Sequence, residues 1–332
     1  METSQVAQVD REAMLTLSDV MGSKTLLTTT MISLTAVFAT GASAMDISVG
    51  SQVRLSAGYL SLNHDASHLT PPGSSGMASY GDPTSILSYE PLYEADIEFS
   101  LTGRGEEGWF DLIAGFPIAA GGTFGDRDYE AGQALYSETF SDITLENGGS
   151  VALRYGLPSD GTLVWNDMVV RPYVTGGFGL ERYGMDGLRC GAACPSGPFP
   201  TSVTVIGHDL FSASAGLGVW LENEISEAET IDLRFEINGG YLGVTDSHYL
   251  RPDLGPVPNI FYDLATLGGL AEATYRYETG QGAELSASVF AGGQLGLGGV
   301  TFGSAGGAQT GPLWAWSVAG HAGVSVGASV PF

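Results

Sequence analysis

From residue 45 to the C-terminus the chain alternates apolar and polar residues with a period of two. Between Leu87 and Leu101 the odd positions are Leu87, Tyr89, Pro91, Tyr93, Ala95, Ile97, Phe99 and Leu101, and the even ones include Ser88, Glu90, Glu94, Asp96, Glu98 and Ser100. Successive side chains of a strand point to opposite faces, so this segment has one oily face and one acidic face. The phase recurs in Phe211, Ala213, Ala215, Leu217 and Val219, in Ile231, Leu233, Phe235 and Ile237, and from Ala265 to Tyr277. Spanning helices are excluded, because beyond residue 45 no apolar run approaches roughly 18 residues. A soluble sandwich also alternates, but its strands are shorter and its polar face meets open water. In a transmembrane barrel the oily face meets lipid and the polar face lines the lumen.

Ten such strands are expected, at 46–61, 84–102, 109–124, 138–156, 165–184, 203–222, 230–247, 260–277, 284–301 and 313–332. The fold class is therefore all-β, a ten-stranded antiparallel transmembrane β-barrel. Short connections such as Gly103–Gly108 and Glu278–Ala283 follow the even strands, and longer ones, including 62–83, 185–202 and 248–259, follow the odd strands. That is the outer-membrane pattern, with short periplasmic turns, long outer loops and both termini in the periplasm. Trp314, Trp316, Val318, Val324, Val326, Ala328, Val330 and Phe332 share one face, and an alternating last strand ending in Phe resembles the assembly signal of bacterial outer-membrane proteins. Composition agrees: Gly is 49 of 332 residues and charged residues only 15%. The net charge of −25, from 12 Lys+Arg and 37 Asp+Glu, excludes nucleic acid as a partner, since phosphate binding needs clustered cations.

Residues 21–44 read as a secretory signal. Lys24 supplies the positive region, Leu26 to Ala39 the apolar stretch, and Ala42-Ser43-Ala44 a small-x-small cleavage box. Residues 1–20 form an extension ahead of it, so 1–44 is leader and 45–332 barrel. Lys24 is the one lysine of the chain, which leaves arginine as the strong cation after cleavage. Cys190 and Cys194 sit in a Pro/Gly-rich segment; in an oxidising envelope a local disulfide at a loop tip is the simplest reading, with free thiols the alternative. No histidine flanks them, and no metal site or cofactor is expected.

Two acidic motifs carry chemistry. On the seventh strand the even positions Asp232, Arg234, Glu236, Asn238, Leu242, Val244, Asp246 and His248 oppose the lipid-facing odd set. This places Asp246 beside His248 at the outer rim of the lumen. A carboxylate orients an imidazole and raises its basicity, as a general base acting on water requires. An isolated D-x-H is also a common solvated pair. The second motif, Asp126-Arg127-Asp128-Tyr129, follows the third strand. Two carboxylates at i and i+2 share a face and favour holding one proton between them; a solvated acidic loop is the plainer alternative. Phe110, Leu112, Phe116 and Ile118 place the even positions of this strand toward lipid, so Asp126 and Asp128 face inward only through a bulge at Gly121-Gly122 or an inward-folding rim. The remaining histidines give no signal: His64 and His68 lie in a polar loop, His208 near a strand start, His321 inside a strand.

A ten-stranded barrel with D-x-D-aromatic after its third strand and D-x-H-Tyr after its seventh resembles the omptin family of outer-membrane proteases. Met45-Asp46-Ile47-Ser48-Val49-Gly50 and Ser85-Ile86-Leu87-Ser88-Tyr89 are further similarities. The resemblance implies an endopeptidase in which Asp246 and His248 activate a water, opposite Asp126 and Asp128, at the extracellular mouth of a bacterial outer-membrane barrel, with no covalent intermediate. It implies lipopolysaccharide on the outer wall, as a partner and a candidate requirement for activity, with Arg182 the matching basic residue. The expected partners are outer-membrane lipid and a peptide or protein substrate, and the expected state is monomeric. Gly58 and Val244 stand where omptins that cut after basic residues carry acidic groups, so specificity is not expected to be restricted to basic residues. The alternatives are a catalytically silent barrel acting as a structural, adhesive or ligand-binding surface protein, and a small pore, which Arg154, Arg171, Arg234 and Arg276 facing lumenal carboxylates argue against.

Overall fold

The computed structural model describes residues 45–69, 78–105, 108–156, 163–165, 168–193, 197–251, 256–303 and 310–332. The expected leader, 1–44, lies outside the described residues. The strands are β1 (Asp46–Asp65), β2 (Tyr80–Gly105), β3 (Gly108–Glu130), β4 (Ala134–Gly156), β5 (Leu163–Trp165), β6 (Met168–Cys190), β7 (Phe199–Ser226), β8 (Glu229–His248), β9 (Ile260–Glu278), β10 (Glu284–Phe302) and β11 (Thr310–Pro331). All neighbours are antiparallel; β1 pairs with β11 and β4 with β6, so the sheet closes and leaves no long edge. The three-residue β5 is not a new place in the wall. Strand β6 pairs with β4 as far as Tyr173–Gly156 and with β5 from Val170–Leu163, so β5 resumes the line of β4. Around the barrel there are ten strand positions, as the alternation predicts.

The Gly105–Gly108, Ser226–Glu229 and Glu278–Glu284 hairpins and both ends of the barrel chain lie at one end, the turn end. There the Phe332 N–H donates to the Ile47 carbonyl at 2.8 Å. At the opposite, loop end the strands run further than the alternation shows. The third connection shrinks to 131–133, and β2, β6 and β7 extend into segments expected to be loops. Paired backbone satisfies its own N–H and C=O groups whether or not the side chains alternate.

The outward face is an apolar belt. Leu55 on β1, Val174 and Phe178 on β6, Leu217 on β7, Ile237 on β8, Leu267 on β9, Val289 and Leu295 on β10 and Val326 on β11 are all exposed. Aromatic rings flank it at two levels: Phe99, Tyr155, Tyr275 and Tyr277 toward the turns, and Tyr59, Tyr93, Phe211 and Tyr241 toward the loops. A band of this kind belongs in hydrocarbon with its girdles at the two interfaces.

The interior has two layers. In the turn half the arginines expected to fill the lumen do form ion pairs, but with carboxylates other than those of β2: Arg154 bonds Glu236 at 2.7 Å and Asp111 at 3.4 Å, Arg171 reaches Glu222 at 3.3 Å, and Arg276 meets Asp232 at 2.6 Å and Glu222 and Glu284 at 3.1 Å. Asp111, Arg154, Asp232, Arg276 and Glu284 line a cavity of about 550 Å³. The loop half carries an apolar layer beneath its polar rim. Side chains from all ten long strands, among them Leu62, Tyr89, Phe124, Ile143, Met185, Ile206, Val244, Leu264, Val300 and Ala315, pack there into one buried cluster.

Part of that layer arises because the alternation changes phase. Ala95 pairs with Ala119 and Asp96 with Pro117, which leaves Ile118 as an extra residue in β3; nearer the loop end Tyr89 pairs with Phe124 and Leu92 with Gly122, which leaves an extra residue in β2. The sequence expectation for the outer part of β2 is therefore reversed: Leu87 and Tyr89 point inward, 3% and 0% exposed, and Glu90 is exposed on the outside. Gly122 has φ +143°, and a Cβ there would lie 1.8 Å from the Pro91 carbonyl oxygen, so the second irregularity admits glycine alone.

Candidate active site

The site lies at the loop end, beyond the belt, five residues past Tyr241 on β8 and further still past Ile118 on β3. Strand β8 keeps unbroken register with β7 and β9 from Thr230 to Asp246, so its even residues stay inward as expected. Asp246 is fully buried, paired across the sheet with His208 of β7 and Ile260 of β9. Its Oδ2 is 3.0 Å from Nε2 of His248, and its Oδ1 makes a bent 3.1 Å contact with Nε2 of His208. The Tyr89 hydroxyl lies 2.5 Å from the other ring nitrogen of His208. Asn259 grips the end of β8: the His248 N–H donates to Asn259 Oδ1 at 3.0 Å, and Asn259 Nδ2 donates to the His248 carbonyl at 3.3 Å.

The other pair is on β3 itself, not after it. Asp126 pairs with Leu87 and Thr139, and Asp128 with Ser85 and Ser137. The phase change lies at Ile118, ahead of the glycines expected to cause it, and turns Phe124, Asp126 and Asp128 inward. Phe124 packs edge-on against Tyr89 at 5.4 Å and His208 at 5.3 Å. Asp128 accepts from the Ser137 hydroxyl at 2.8 Å. Asp126 lies within the electrostatic reach of His248, Asp246 and Arg251. The barrel thus gathers Asp126, Asp128, Asp246 and His248 at one end.

Their charges are interdependent. Burial, then the neighbouring Asp128, pushes the Asp126 carboxyl up to about 7. Burial also raises Asp246, but His248 and His208 outweigh it and hold that carboxyl well below its usual range. For His248 burial opposes the charge, while Asp246 and Asp126 overcome it and lift the imidazole to about 9.

Two histidines that carry no signal in the sequence belong here. His208 is 0% exposed and shares Asp246. His64 is buried with Nδ1 3.1 Å from the Tyr262 hydroxyl and its ring edge-on to Phe302 at 5.1 Å; burial lowers it to about 4, so it is neutral. Tyr89 and Asn259 were equally silent. For His208 a signal exists: an equal count along both strands from the Glu224–Thr230 pair arrives at His208 opposite Asp246. A bulge between Glu224 and Ser226 hides it, because counting from the turn itself is off by one. His68 lies exposed in its loop, as expected. Among the described residues no group of three or more His, Cys, Asp or Glu side chains is arranged to hold a metal ion.

Arg182 points outward as expected, but Asp209 bonds it and Glu146 lies 3.9 Å away, so its charge is already met. Cys190, the last residue of β6, is disulfide-bonded; Cys194 lies outside the described residues.

No family model and no curated protein sequence matches this chain. Among solved structures it is similar to the outer membrane protease OmpT from Escherichia coli, with a TM-score of 0.68 and 11% identity, over 88% of this chain and 99% of that one. A Pseudomonas aeruginosa FadL homologue (TM-score 0.28, 7% identity, 86% of this chain and 90% of that one) and a deltaS2 mutant of the TodX monoaromatic hydrocarbon channel (0.25, 10%, 87% and 91%) align too loosely to carry an argument. At 11% identity the first likeness is one of fold: this chain is an all-β barrel of the outer-membrane kind, built like that protease.

Proposed function

We propose that the chain is an omptin-like endopeptidase of the bacterial outer membrane, with its site on the extracellular side. The observation that carries the reading is the convergence of Asp126 and Asp128 on β3 with Asp246 and His248 on β8, although β3 must change phase to bring its pair inward. Between about pH 7 and 9 Asp126 is ionised and His248 protonated. Asp126 then takes a proton from a water that attacks the peptide carbonyl, and the His248 imidazolium gives one to the departing amine. The form with both protons exchanged, neutral His248 as base and protonated Asp126 as acid, is kinetically equivalent. Asp246 stays ionised throughout and stabilises the imidazolium.

The apolar layer beneath the site favours small or apolar substrate side chains. Val244 is 1% exposed within it, and on Gly58 a Cβ would lie 2.5 Å from the Gly320 carbonyl. No acidic residue occupies either position to pair a basic side chain. Lipopolysaccharide contacts the outer wall, and Arg182 engages it in competition with Asp209 and Glu146.

One observation favours the rival, a silent surface barrel: the buried Asp246 already faces two imidazoles without substrate. Refolded barrel with lipopolysaccharide, given an unbiased peptide library, separates the two. Cleavage by the wild-type chain, reduced about 10²–10⁴-fold in both Asp126→Asn and His248→Ala, is the expected result. Absence of cleavage by folded wild-type barrel would establish the silent reading.

A further inference from the structure

We infer that His208 is a positioning residue for Asp246, and that through it His248 presents Nδ1, not Nε2, to the substrate. The inference rests on the endopeptidase reading for its chemistry, and on the wiring of four side chains for its geometry. Each oxygen of Asp246 meets an imidazole Nε2, Oδ1 that of His208 and Oδ2 that of His248. On the far side of His208 the buried Tyr89 hydroxyl lies 2.5 Å from Nδ1. With the Tyr89 hydroxyl donating to Nδ1, the His208 proton resides on Nε2, on the side of Asp246. The two ring nitrogens of the buried His208 thus face the Tyr89 hydroxyl and, through the bent 3.1 Å contact, Asp246.

The ring cannot swing away, because Phe124 and Tyr89 pack against it at 5.3 and 5.7 Å. Phe124 is two residues before Asp126 on the same inward face, so the strand that supplies the carboxylate pair also seats the ring that orients Asp246. With Oδ1 occupied, Oδ2 is left for His248, whose proton toward Asp246 sits on Nε2. Nδ1 is then the nitrogen turned from Asp246, and among the described residues it has no hydrogen-bond partner. Asn259 fixes the backbone from which this ring projects.

The test uses amide mimics in the refolded full barrel. A glutamine amide nitrogen falls near imidazole Nε2, and an asparagine amide nitrogen near Nδ1. His208→Gln is expected to keep kcat within about tenfold of wild type, and His208→Asn to lose about 100-fold or more, with KM unchanged in both. Equal losses in the two variants, or full activity in His208→Leu, would overturn the inference. A second readout does not need activity: NMR titration of the His248 ring, whose charged neighbours are Asp246, Asp126 and Arg251. The raised midpoint is expected to persist in His208→Gln and to fall in His208→Asn, and an unchanged midpoint in His208→Asn overturns the positioning role. If wild-type barrel does not cleave, the endopeptidase reading fails and this titration alone decides the wiring.

Discussion

Asp126 and His248 titrate on either side of pH 8, and that separation is a consequence of placement. A carboxyl crowded by Asp128 and removed from water holds its proton to about pH 7, and an imidazole facing Asp246 and Asp126 keeps its proton to about pH 9. Activity that needs one ionised and the other protonated rises through the lower value and falls through the higher. The expected kcat/KM profile is a bell with its maximum near about pH 8; a profile that keeps rising beyond pH 10 would show that His248 does not act as the acid. Replacing Asp128 by asparagine removes the repulsion and is expected to move the lower limb to more acid pH. Gly122 is a residue of another kind, important for its missing Cβ. Gly122→Ala is expected to destabilise the barrel by about 1 kcal/mol or more, measured as a lower denaturant midpoint for unfolding.

At the scale of elements, the two site strands differ in how openly the sequence displays them. Strand β8 holds one phase from Thr230 to Asp246, so counting by two from its oily residues places Asp246 and His248 inward, and the structure agrees. Strand β3 changes phase at Ile118, and the same counting sends Asp126 and Asp128 toward lipid. The Gly121-Gly122 pair is the visible irregularity, yet the inversion precedes it, because an extra residue in a strand requires no special side chain. Deleting Ala119 restores simple alternation and turns Phe124, Asp126 and Asp128 outward. The expected variant keeps its β-sheet circular dichroism and cleaves no better than Asp126→Asn. Wild-type cleavage by the deletion variant would show that the bulge does not set the facing of the pair.

For the whole molecule, the two interior layers argue against a channel. The turn half is laced with ion pairs around its cavity, and the loop half is packed with apolar side chains from all ten long strands. Small barrels fill their interiors with side chains, and here the filling changes character midway. Planar bilayers containing the refolded protein are expected to show no large, steady single-channel steps; such steps would mean the apolar layer opens. The same layer reaches the rim, since Tyr89, which faces His208, and Val244, two residues before Asp246, belong to the buried cluster.

Alternation is a local property, and everything that follows from it could be read along the chain: an all-β barrel, ten strand positions, the oily outer face, the inward phase of β8 and the two acidic motifs. Pairing between strands is not local. The partnership of His208 with Asp246, the hydrogen bond from Tyr89, the clamp by Asn259, the burial of His64 and the inward turn of β3 all depend on register across the sheet. A single extra residue in one strand, at Ile118 or between Glu224 and Ser226, shifts that register by one and exchanges the two faces for every residue beyond it. Side-chain chemistry along the chain thus named the barrel and half of the site, and closure of the sheet brought the other half to it.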